Sequence, residues 1–129
     1  MKIDISIGEL VDKVTILSIK RDKIKDPQKL KNISKEYDLL EKAMLECGIN
    51  KDSVYFSRLK EVNSRLWDIE DQIRIKESQQ QFDKEFIKLA RSVYFENDER
   101  AAIKKEINIK FASELIEEKE YVNYKQDIK

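Results

Sequence analysis

Apolar side chains recur at alternating spacings of three and four from residue 30 to residue 47: Leu30, Ile33, Tyr37, Leu40, Met44 and Cys47. That period places all six on one face of an α-helix. Gly48 follows, and glycine most readily adopts the left-handed conformation that closes a helix. Asp26-Pro27 provides an N-cap and a first-turn proline. The pattern predicts a helix near 27–47. Upstream, Ser6-Ile7-Gly8-Glu9 reads as a capping box, with Ile5 and Leu10 placed as a hydrophobic staple. Leu10, Val14, Leu17 and Ile24 continue a stripe in which Arg21 fills one slot, predicting a helix near 7–25.

Asp52 or Ser53 starts a third helix near 53–79, with Tyr55, Leu59, Val62, Leu66, Ile69 and Ile73 as its seam. Phe56 and Trp67 fall on a second face about 100° away, as expected of a helix with two neighbours. A fourth helix begins at Asp83, with Phe82 and Ile87 in staple positions. Phe86, Leu89, Val93, Ile107 and Phe111 keep one stripe across the acidic Glu96–Glu99 cluster, so one unbroken helix near 84–112 is expected. From Ser113 the chain turns acidic, and a short helix with a tail is expected, docked by Tyr121 and Tyr124. Ile3, Ile5 and Ile7 alternate, but a lone strand would have nothing to pair with. The expected fold is therefore all-α: an up-down antiparallel bundle of four principal helices, the third and fourth long. It forms one domain over 1–112, followed by the C-terminal segment 113–129.

Composition narrows the chemistry. Two glycines, Gly8 and Gly48, lie too far apart for a dinucleotide fingerprint or a phosphate-cradling loop. Without histidine there is no Ser-His or Cys-His nucleophile, and one cysteine builds no cysteine-rich zinc site. No catalytic residue, metal ligand set or cofactor is expected. No apolar run approaches the roughly 18 residues of a membrane helix, the N-terminus lacks a secretory h-region, and the lone Cys47 suits the cytoplasm. The 26 basic and 26 acidic residues cancel. Eight basic residues from Lys13 to Lys35 face only Asp22 and Asp26, but no aromatics interleave to stack bases, so nucleic acid is disfavoured as a partner.

One stripe breaks the apolar rule. Asn97, Arg100 and Lys104 share a face with Val93 and Ile107, where a core is expected. Antiparallel pairing of the last two helices sets them opposite Arg58–Arg65, with Glu61 as the acidic partner for Arg100. Either the stripe is a polar layer that fixes register, or Arg65, Asn97, Arg100 and Lys104 line a pocket for an anion. Asp68 with Asp71, or Glu96 with Glu99, are spaced to share Mg²⁺, but among 26 acidic residues such pairs are expected by chance, and a solvated acidic face is the favoured reading.

Three stretches carry a family resemblance: Ser6-Ile7-Gly8-Glu9-Leu10 with Thr15-Ile16-Leu17; Leu66-Trp67-Asp68-Ile69-Glu70-Asp71; and Ala90-Arg91-Ser92-Val93-Tyr94 followed by Asn97-Asp98 and Arg100-Ala101. Over nearly its full length the chain resembles a small helical family of bacterial and phage proteins of unknown function. The resemblance implies that Gly8, Glu9, Trp67, Glu70, Asp71, Arg91, Asn97, Asp98 and Arg100 occupy motif positions, and it implies no reaction. Two functions are expected of such a chain. The first is a non-enzymatic interaction or assembly protein that pairs with itself or another protein. The second is a small helical enzyme or binder that holds an anionic, phosphorylated metabolite, with or without Mg²⁺.

Overall fold

The computed structural model describes residues 1–125 and contains four helices: α1 (Ile7–Lys23), α2 (Pro27–Glu46), α3 (Val54–Ser78) and α4 (Lys84–Lys110). No strand occurs among the described residues. Each helix opens on the residue type that local chemistry favours. Ser6, Asp26, Ser53 and Asp83 each accept a hydrogen bond from a first-turn amide. Gly48, at φ +83°, turns the chain out of α2. The acidic cluster does not interrupt α4, which is continuous through residues 96–99 as its stripe requires.

α1 is the centre of the bundle. It packs against α2, α3 and α4, α3 packs along α4, and the backbone of α2 approaches neither α3 nor α4. The cause is visible along α1 itself. Leu10, Val14 and Leu17 form the expected apolar stripe, and all three are buried. A second stripe of Gly8, Asp12, Thr15 and Ile19, at spacings of four, three and four, is buried as well. A helix with two buried stripes needs neighbours on more than one side.

The core gathers around α1: Val11, Val14, Met44, Ile49, Leu59, Val62, Ile103 and Ile107 expose at most 1% of their surface. Phe56 is part of this core, while Trp67, on the same face of α3, is only half-buried. Leu40 and Leu66, expected as fully buried seam positions, are only half-buried against the core. α4 runs antiparallel to α3, as Arg58–Glu106, Arg65–Glu96 and Lys76–Asp83 pairs show in order along the hairpin.

Two local expectations are corrected. Phe82 packs edge-on against Phe86, with ring centroids 5.2 Å apart, while Ile87 stays exposed, so no Phe82–Ile87 staple forms. The segment after Ser113 forms no helix up to Lys125. It instead runs back along α4 as a strap, and its last four residues, 126–129, lie outside the described residues. Lys104 and Lys105 hold Glu117 and Glu118, and Tyr124 donates a hydrogen bond to Asp98. The Tyr124 ring lies 4.8 Å from that of Tyr94 and 5.3 Å from that of Phe95. Tyr121 remains exposed, so only Tyr124 of the two tail tyrosines docks.

Candidate functional site

The start of α1 is tied down by three different segments. A helix leaves its first amides without intrahelical partners. Here Ile7 N–H donates to Ser113 Oγ (3.0 Å), Gly8 N–H to Asn108 Oδ1 (2.6 Å) and Glu9 N–H to Ser6 Oγ (3.1 Å). Gly8 is required by proximity. A Cβ there would collide with the Lys104 carbonyl oxygen and meet Asn108 Oδ1 at 3.0 Å. The capping box is half-formed: the Ser6 hydroxyl plays its part, but the Glu9 carboxylate is drawn to Lys104 Nζ at 2.5 Å.

One turn further, Asp12 is fully buried and makes the most demanding contact of the fold. Arg100 Nε donates to its Oδ1 at 2.9 Å and Arg100 Nη2 to its Oδ2. Asn63 Nδ2 also donates to Oδ1 at 2.9 Å, and to Thr15 Oγ1 at 2.8 Å. Thr15 Oγ1 in turn donates to the Asp12 carbonyl at 2.7 Å. Three helices thus meet on one carboxylate. Its hydrogen bond raises the Arg100 pKa above the ordinary guanidinium value, against the opposing effect of burial.

The polar stripe of α4 therefore faces α1. The sequence reading set it against α3, with Glu61 as partner to Arg100. In the structure Glu61 pairs with Arg65 at 3.3 Å and Asp12 holds Arg100. The reason is the second stripe of α1: Gly8 and Asp12 present the small and acidic groups that Lys104, Asn108 and Arg100 require. Asp12 and Asn108 are not among the residues that the sequence pattern singles out. Asp12 had a signal, an acid in phase with Gly8, Thr15 and Ile19 within an otherwise apolar helix. Asn108 had only its adjacency to the stripe.

The four residues of the expected anion pocket separate. Arg65 stands apart, held by Glu61, Glu96 (3.0 Å) and Glu99 (3.2 Å). Those contacts also engage Glu96 and Glu99, one of the two pairs considered for Mg²⁺. Asp68 of the other pair lies 3.9 Å from Lys23. No group of three metal-ligating side chains occurs among the described residues. Lys104 is nearly buried between Glu9 and Glu117 (3.0 Å), and its hydrogen bond holds the Glu117 carboxyl below its usual range.

Asn97 and Arg100 stay together and face open space. On one side is a cleft of about 470 Å³ whose α3 wall is Leu66, Trp67, Glu70, Asp71 and Arg74, with Ile16 and Ile19 of α1 beneath. On the other is a groove of about 240 Å³ lined by Glu9, Lys104, Glu117 and Lys119. Of the nine motif positions, Trp67, Glu70, Asp71, Asn97 and Arg100 line the larger cleft. Gly8 and Glu9 sit at the α1–α4 contact, Asp98 receives Tyr124, and Arg91 lies over the Phe95 ring.

A family model matches residues 1–126. The chain belongs to a family of unknown function, DUF6165. No curated protein and no solved structure matches it. The assignment accords with the resemblance carried by the three motif stretches and brings no reaction, ligand or partner with it.

Proposed function

We propose that the protein is a non-enzymatic interaction protein that self-associates through the outer half of its α3–α4 hairpin. One observation carries this reading. α1 ends at Lys23, which reaches Asp68, and beyond that point α3 and α4 form an arm that packs on no other helix among the described residues. Two helices can bury one seam between them, and the apolar residues off that seam stay in water. Ile75, Phe82 and Ile87 are 56%, 53% and 54% exposed. A second arm laid against the first would complete a four-helix arrangement, the ordinary way for such a pair to bury its remaining apolar faces. Charge does not oppose it, because residues 70–91 hold five acidic and five basic side chains.

A catalytic or anion-holding role for Arg65 or Lys104 has less support, since carboxylates already engage both. Sedimentation equilibrium tests the proposal. Mass across about 1–200 µM should rise from monomer towards dimer, as mass action requires of a reversible pair. Ile75→Asp combined with Ile87→Asp should hold the protein as a monomer with unchanged helicity. A wild-type monomer throughout that range would refute self-association.

A further inference from the structure

The cleft between α1, α3 and α4 keeps three polar side chains unspent, beside Asn63, Arg100 and the Glu70–Arg74 pair, which are engaged. Asn97, Asp71 and the Trp67 indole N–H have no hydrogen-bond or ion-pair partner among the described residues, yet all three line the same cleft. Asp12 takes only two of the five N–H groups of Arg100, whose side chain is 29% exposed. By contrast, Lys104, Lys105, Arg58 and Arg65 are each paired with carboxylates. Among the described residues no buried side-chain nitrogen or oxygen is left without a partner, so the free groups of the cleft point to where solvent, or a ligand, can reach them.

We infer that this cleft binds a small hydroxylated anion, a sugar-sized carboxylate or phosphate ester. Its anionic head lies on Arg100 and Asn97, its ring on the Trp67 wall, and a hydroxyl donates to Asp71. The chemistry is directional. Arg100 and the amide of Asn97 supply donors at the α4 side, where anionic oxygens are recognised by a guanidinium fork. Asp71 on the α3 side accepts only, which suits a hydroxyl. Leu66, Ile16 and Ile19 give the apolar remainder, and the volume of about 470 Å³ falls in the range of small-molecule sites. The buried Asp12 acts as the anchor. It fixes the inner edge of the guanidinium during folding, so ordering that side chain opposes ligand binding less. Asp12, Thr15 and Asn63 are positioning residues here.

This inference does not depend on self-association, and its test reads a different signal. Trp67 is the only tryptophan, so its fluorescence reports directly on the cleft. The probes are ribose 5-phosphate, glucuronate, inorganic phosphate and uncharged ribose. Ribose 5-phosphate or glucuronate should saturate the signal below about 1 mM, and which one does so distinguishes a phosphate from a carboxylate head. Inorganic phosphate should bind about tenfold more weakly for want of the hydroxyl contact, and ribose should not bind. Asn97 and Asp71 make no side-chain hydrogen bond or ion pair among the described residues, so Asn97→Ala and Asp71→Ala should both fold. Asn97→Ala should weaken the saturating probe about tenfold. Asp71→Ala should weaken it about fivefold while leaving inorganic phosphate unchanged. No saturation by any probe up to about 10 mM would overturn the inference. So would ribose binding as tightly as its phosphate, or wild-type affinity in a folded Asn97→Ala variant.

Discussion

Removing Arg100 should harm the fold far more than removing Arg100 and Asp12 together. Asp12 is 1% exposed at its side chain, and in an Arg100→Met variant its carboxylate keeps only the Asn63 amide. An uncompensated buried charge of this kind destabilises by about 3–5 kcal/mol. Asp12→Leu is less severe, because Arg100 is 29% exposed and can turn its freed edge to water. The Asn63 amide then retains Thr15 Oγ1. That loss should be about 1–3 kcal/mol. In the double variant two apolar side chains of similar volume meet between α1 and α4, and such replacements of buried ion pairs are often neutral or stabilising. The double variant should lose no more than about 1 kcal/mol, leaving a coupling energy of about 3–7 kcal/mol. Urea unfolding followed by circular dichroism, on the wild type and all three variants, measures each term. Two single losses below about 1 kcal/mol that simply add would mean that Asp12 and Arg100 are not the joint that the geometry describes.

Gly8→Ala should destabilise by about 1–3 kcal/mol, because the new Cβ meets the backbone carbonyl of Lys104 and α1 must move off α4. Alanine's better helix propensity offsets at most about 1 kcal/mol, and a net gain in urea midpoint would contradict the close approach. Leu59→Ala, at a side chain with no exposed surface, should lose about 2–5 kcal/mol in the same assay. Leu40→Ala and Leu66→Ala, both half-buried, should lose less; equal losses would mean that burial does not rank these sites. The Tyr37 pKa is pushed up to about 12 by burial and by its hydrogen bond to Glu41. The fold therefore holds Tyr37 protonated, a contribution fully present below the unfolded value near 10 and lost as pH rises towards 12, worth about 2 kcal/mol. Tyr37→Phe should flatten the fall in stability between about pH 10 and 12, and parallel curves for the two proteins would speak against it.

The helices were legible because their signals are local. Ser6, Asp26, Ser53 and Asp83 mark starts through hydrogen bonds to their own first turns, and the stripe across Glu96–Glu99 fixes one phase for α4. Pairing between helices was harder. Short connections say which helices are sequential neighbours, but only side-chain complementarity says that α1 lies between α2 and the α3–α4 hairpin. Gly8, Asp12, Thr15 and Ile19 held that message in a stripe whose mixture of small, acidic and apolar residues does not register as a core face. The polar stripe Asn97, Arg100 and Lys104 stood out in the sequence, yet its partner lay some 90 residues away along the chain. The strap was misread as a helix because its acids suit a helix surface. They are spent on Lys104 and Lys105, whose place next to the strap depends on the completed fold.

The claim that the arm is where one copy meets another is tested most directly by hydrogen exchange at two protein concentrations. Amides of residues 70–91 should exchange several-fold more slowly in the concentrated sample, while those around Met44 and Leu59 in the core should not change. Protection of the arm that does not depend on concentration, or protection that appears on α2 instead, would contradict the account.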